Sequence, residues 1–102
     1  MKIELGKNTE KKEKTFRIAG ELDVHQVKLL RSEVMGAIEE GEWKYIIDMA
    51  GIEYLDSSGL GMLVFLKKEL LRKQSQLVLL NLQEPVLSVF KLTKLDDFFG
   101  LA

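Results

Sequence analysis

Asp56, Ser57, Ser58, Gly59, Leu60 and Gly61 are the residues of this chain whose types and spacing bear most directly on chemistry. Two adjacent hydroxyls stand between a carboxylate and two glycines, just ahead of a long apolar helical pattern. Four roles are open to such a stretch. Asp56 or Ser57 can cap the helix by accepting a hydrogen bond from a free backbone N–H, which stabilises by about 0.5–2 kcal/mol. The turn can cradle phosphate, because a helix N-terminus attracts anions. A serine can act as a nucleophile. Finally, a serine can itself be the substrate of a phosphoryl transfer.

A cap alone does not need Gly59 and Gly61, each of which costs roughly 1 kcal/mol relative to alanine inside a helix. Glycine at those positions lets another backbone or a large ligand come close. A nucleotide-cradling loop of the Walker type requires G-x-x-x-x-G-K-[ST]. This stretch has no lysine, and its charged neighbours Glu53 and Asp56 would repel a polyphosphate. The G-x-S-x-G elbow of serine hydrolases is absent, and a hydroxyl nucleophile needs a base within reach. The one histidine, His25, lies in a different loop at the start of the first helix, where an exposed or capping imidazole is its ordinary role. No Cys/His/Asp/Glu cluster has metal-ligand spacing, so no cofactor or metal is expected. A phosphoryl group on a loop serine would add roughly −1.5 to −2 charge beside Asp56. The helix dipole and free N–H groups would tolerate that charge within the fold, while a docked partner would not.

The elements that must position this motif follow from the pattern around it. Ile3 and Leu5, then Phe16 and Ile18, alternate with polar residues and predict two short strands joined through the polar segment GKNTEKKEK. Asp23 is placed to cap the next helix, with Gln26 as its reciprocal capping-box partner. Val27, Leu30, Val34, Ala37 and Ile38 share a face of that helix, and Gly41 ends the pattern. WKYIIDM (43–49) and QLVLLNL (76–82) read as buried strands. Between them a helix runs from the motif to about Lys73, with Leu60, Leu63, Val64 and Leu71 as its core stripe. Met62 and Phe65 fall on roughly the opposite side. Either neighbouring elements cover them or they form an exposed apolar patch that marks a partner site. Pro85 suits the first turn of a third helix with Val86, Val89 and Phe90 facing inward.

The expected fold class is α/β, in the order β-β-α-β-α-β-α. It is a mostly parallel four-stranded sheet with an antiparallel N-terminal hairpin and helices packed against it. Sites in such sheets form at the carboxyl ends of strands, and the loop after strand 43–49 carries the motif. With 102 residues, 46% hydrophobic and 30% charged, one domain (1–102) can build its own core. A net charge of −1 with no basic segment points away from nucleic acid and from anionic membranes. There is no cysteine, signal-like N-terminus or apolar run of membrane-spanning length, so a cytoplasmic location is expected.

GELD (20–23), the apolar strand before IEYLDSSGLG (52–61) and FKLTKLDDFF (90–99) together resemble the STAS domain family, specifically its anti-sigma factor antagonists. The likeness covers nearly the whole chain. It implies a non-enzyme that binds an anti-sigma factor serine kinase and so frees the sigma factor. It further implies that phosphorylation switches the protein off and that a PP2C-type phosphatase reverses this. Carried onto this sequence, the phosphoacceptor is Ser57, with Ser58 second. The partner-binding set is Asp23, Asp56, Ser57, Ser58, Gly59, Leu60, Gly61, Met62 and Phe65. The resemblance also implies a short strand and a final helix beyond Phe99, which this sequence lacks. That departure implies either apolar surface left uncovered or association of the chain with itself. The rival expectation is a scaffold or regulatory STAS subunit of a stress-signalling or lipid-transport complex.

Overall fold

The computed structural model describes residues 1–101. Strands β1 (Lys2–Asn8) and β2 (Glu13–Leu22) form an antiparallel hairpin. They are followed by α1 (Val27–Gly36), β3 (Lys44–Leu55), α2 (Ser57–Arg72), β4 (Gln76–Leu80) and α3 (Glu84–Leu92). The sheet order is β1-β2-β3-β4, with β3 parallel to both β2 and β4. The chain is thus an α/β domain of the expected order.

Alternation along the strands decides which face is dry. Phe16 and Ile18, Tyr45, Ile47 and Met49, and Leu77 and Leu79 are buried on the face that joins the helices. Leu30 and Val34 of α1, Leu63, Leu66 and Leu70 of α2, and Val86 and Phe90 of α3 complete the same core. Phe90 also meets Phe99 edge to face, with centroids 5.2 Å apart. On the other face Glu13, Thr15 and Asp48 are half-buried and Arg17 is exposed. Ile46 is the exception there, nearly buried between its cross-strand neighbours Thr15 and Val78.

Several expected boundaries shift, each for a local reason. The connection in the hairpin shrinks to Thr9–Lys12, because the polar residues on either side pair strand to strand as far as Asn8 and Glu13. The first helix ends at Gly36 rather than near Gly41, and the next segment is held instead by side chains. There Lys14 Nζ donates to Ala37 O and pairs with Glu39 at 2.7 Å, while the Glu39 N–H donates to Tyr45 Oη at 3.0 Å. QLVLLNL is not a fully buried strand: β4 stops at Leu80 and forms a sheet edge, with Leu80 exposed. In α2 the buried stripe is Gly59, Leu63, Leu66 and Leu70. Leu60 and Val64 are half-buried, and Leu71 is 51% exposed, so the buried stripe is rotated by about one residue from the expected one.

The correction that matters for the site is β3. It does not stop at Met49 but runs to Leu55, so no loop separates it from the motif. Beyond Met49 the burial rhythm changes from alternation to a period of three, with Ile52 and Leu55 inward. Register shifts against β2 between Arg17 and Ala19 and between Gly20 and Glu21 accommodate this. Gly20, at φ +114, supplies backbone that an L side chain rarely adopts. No helix among the described residues is long and apolar enough to cross a membrane.

Candidate functional site

The parallel pairing of β2 and β3 ends at Leu22 opposite Leu55. Their carboxyl ends therefore deliver two turns side by side: Asp23–Gln26 from β2, and Asp56 with the start of α2 from β3. This is why GELD and DSSGLG, more than thirty residues apart in sequence, meet in space.

Asp56 joins them. Its backbone is extended and its Oδ1 accepts the Gly59 N–H at 2.9 Å, making it the N-cap of α2. Its other oxygen, Oδ2, accepts the Val24 N–H at 3.2 Å, and its own N–H donates to Leu22 O at 3.3 Å. One carboxylate thus satisfies a helix end and pins the neighbouring turn. Asp23 plays a different part from the one expected. No Asp23–Gln26 capping box forms, and α1 begins only at Val27 with no side-chain cap. Instead Asp23 Oδ1 accepts the His25 N–H at 3.0 Å, and Asp23 O accepts from Gln26 and Val27. The aspartate builds an Asx turn ahead of the helix, a role that competes with capping.

Ser57 is exposed at the first position of α2, and Ser58 behind it is half-buried. Neither hydroxyl makes a hydrogen bond among the described residues. The two glycines differ sharply. Gly59 is buried, and a Cβ there would stand 2.3 Å from Leu22 O and 3.0 Å from Leu22 Cγ. The close approach it permits is to the backbone of this chain's own β2, the first of the two approaches expected of a glycine there. Gly61 is exposed, with nothing within 4 Å of a Cβ. Leu60, Met62 and Phe65 are half-buried, so no bare patch stands opposite the core stripe. The Arg31 guanidinium of α1 lies over the Phe65 ring, 4.7 Å from its centroid.

Two residues that sequence reasoning passed over stand at the same end. Val24, in the turn pinned by Asp56, is 58% exposed, and Tyr54, two residues before Asp56, is 51% exposed. Tyr54 was hidden by the expectation that β3 ends at Met49. Once β3 runs on with Ile52 and Leu55 inward, Glu53 and Tyr54 must point outward. No group of acidic, histidine or cysteine side chains suited to a metal ion occurs among the described residues. A cleft of about 330 Å³ lies over β1 and β2, lined by Glu4, Gly6, Glu13 and Arg17 among others, away from the motif.

Comparison with known proteins adds to this geometry. The family model described as STAS domain matches residues 6–102. The anti-sigma-B factor antagonist of Bacillus subtilis (strain 168) is 33% identical over 85 residues, covering 83% of this chain and 77% of that protein. Among solved structures, the anti-sigma factor antagonist SpoIIAA in its unphosphorylated form superposes with a TM-score of 0.75 at 25% identity. It covers 94% of this chain and 84% of its own. The Bacillus cell fate determinant SpoIIAA in the phosphorylated form gives a TM-score of 0.68 at 25% identity, over 94% of this chain and 86% of the other.

Proposed function

The chain belongs to the STAS domain family, and from that premise we propose that it is an anti-sigma factor antagonist switched by phosphorylation of Ser57. The observation that carries the reading is the placement of Ser57. It is the exposed first residue of α2, directly after the capping Asp56, with a hydroxyl that makes no hydrogen bond among the described residues. Its likeness to proteins named anti-sigma factor antagonists, one of them solved in a phosphorylated form, supports the same role.

In this reading the unmodified protein docks on an anti-sigma factor that is also a serine kinase, and the sigma factor is released. The docking face consists of Asp23, Ser57, Ser58, Leu60, Gly61, Met62 and Phe65, with Asp56 and Gly59 holding its shape from within. The kinase then transfers the γ-phosphoryl group of ATP to Ser57 Oγ. The hydroxyl proton passes to a base of the kinase, and ADP leaves. A PP2C-type phosphatase hydrolyses the ester and restores the docking form. The chain acts by binding rather than by catalysis, in the cytoplasm.

The test is to incubate the protein with the anti-sigma factor kinase of its own organism and ATP, then to map the product by mass spectrometry. Phosphate on Ser57 is expected. Modification confined to Ser58, or to a distant serine such as Ser88, would sink the assignment.

A further inference from the structure

Seven large apolar side chains are exposed among the described residues, and two of them, Val24 and Tyr54, belong to the segments that lead into and abut the start of α2. They are not loose. The Val24 N–H is tied to Asp56 Oδ2, and Tyr54 sits on the last turn-free stretch of β3, opposite Glu21 of β2. Around them carboxylates outnumber cations, with the Arg31 guanidinium over the Phe65 ring as a counter-charge. Glu21, Asp23, Glu53 and Asp56 gather at the carboxyl ends of β2 and β3, and residues 18–27 and 45–66 contain no lysine or arginine. None of these four carboxylates takes part in a salt bridge among the described residues, whereas Glu39 at the opposite end of the strands is held by both Lys7 and Lys14.

We propose that Val24 and Tyr54 are the apolar anchors of the docking face, and that the partner presents a basic surface with apolar sockets for them. The inference rests on the proposed antagonist role and names the chemistry of its partner. Aromatic anchors ringed by polar groups carry a disproportionate share of binding energy, which makes Tyr54 the principal anchor and Val24 the lesser one. The carboxylate rim selects the sign of the partner's charge and speeds the encounter. It also constrains the switch. A partner that accepts this acidic rim is already matched to negative charge, so a phosphate on Ser57 does not act chiefly by long-range repulsion. It acts by placing a dianion inside a close, partly apolar contact, where it must be desolvated.

The experiment uses the full chain and the purified anti-sigma factor kinase of the same organism, without ATP. Affinities are measured for wild type, Val24→Ala, Tyr54→Ala and Leu92→Ala; Leu92 is 84% exposed on α3 and serves as a control. Tyr54→Ala should bind about tenfold or more weakly and Val24→Ala about threefold or more weakly, with thermal melts unchanged, while Leu92→Ala binds like wild type. Raising the salt to about 1 M, where the Debye length is about 3 Å, should weaken wild-type binding severalfold. Anchor variants within about twofold of wild type would overturn the proposal and leave the antagonist role standing. Wild-type affinity that is flat or rises with salt would overturn the basic partner face. A wild type that does not bind the kinase at all would remove the antagonist role, and the anchors with it.

Discussion

At the scale of single residues, the motif divides into side chains that shape the site and side chains that face out of it. Asp56 and Gly59 belong to the first group. Truncating Asp56 to alanine removes the α2 cap and the tie to Val24 together, so a loss at or above the upper part of the usual capping range, about 2 kcal/mol, is expected in denaturant melts. Asp56→Asn keeps an acceptor for the Gly59 N–H and should lose less. If both variants unfold like wild type, the bridging role is wrong. The two glycines give the sharper contrast. Gly59→Ala drives a Cβ to 2.3 Å from Leu22 O, a backbone atom that cannot step aside, and should destabilise by about 1–3 kcal/mol or more. Gly61→Ala meets open space in a helical segment and should stabilise by about 0.4–1 kcal/mol. Urea titration of the two variants decides the matter, and equal midpoints would contradict the packing described. From the sequence these glycines looked alike, because both disfavour a helix. Only the position of Leu22 at the end of β2, a contact between residues distant in the chain, tells them apart.

Elements show the same division between what local pattern dictates and what tertiary contact decides. The order of strands and helices was legible because periodicity changes from two to about 3.6 at each junction, and Pro85 marks the first turn of α3 as its fixed φ requires. The ends of elements were not legible. β3 runs past Met49 because Gly20 and two register shifts in β2 let Ile52 and Leu55 keep turning inward, a pairing invisible in WKYIIDM alone. The segment after α1 is fixed by ionic contacts rather than by a helix stop. Lys14, 6% exposed, reaches Ala37 O and Glu39, Lys7 pairs with the same carboxylate at 2.7 Å, and both ammonium groups lie within 6 Å of the Trp43 ring. Hydrogen bonds from Lys14 and Lys7 hold the Glu39 carboxyl below its ordinary value of 4.5. A carboxyl with a lowered folded pKa contributes stability that is present above 4.5 and is lost as the pH falls through the folded value. Glu39→Gln should therefore be less stable than wild type at neutral pH and equally stable in acid below that value. Denaturant midpoints measured from neutral pH down into acid test this, the deficit shrinking as the pH falls below 4.5. A deficit that persists unchanged into acid would assign it to packing instead of charge.

For the whole molecule, the parallel strands give the domain two unlike ends. The amino ends of β3 and β4 and the hairpin turn mix lysines with glutamates, while the carboxyl ends of β2 and β3 collect carboxylates around Ser57. The chemistry of the proposed switch follows from that polarity. A negative charge at the first position of α2 is favourable to the helix by about 0.3–1 kcal/mol, offset in part by its neighbour Asp56. Ser57 is exposed, so Ser57→Asp should leave global stability within about 0.5 kcal/mol of wild type. Binding to the anti-sigma factor kinase should nevertheless fall by about tenfold or more, a loss of about 1.4 kcal/mol or more. Two mechanisms for that loss separate by salt. Repulsion across the interface is screened as the Debye length shrinks from about 8 Å at physiological ionic strength to about 3 Å at 1 M. Desolvation of a carboxylate or phosphate trapped in a close contact is screened far less. A partner face matched to the rim of Glu21, Asp23, Glu53 and Asp56, as proposed, favours the second. The ratio of wild-type to Ser57→Asp affinity should therefore hold or widen as salt is raised, because screening also removes the variant's extra attraction to a basic face. If high salt brings the variant back to wild-type affinity, the switch works by repulsion at a distance, and the partner's face opposite Ser57 is acidic rather than basic.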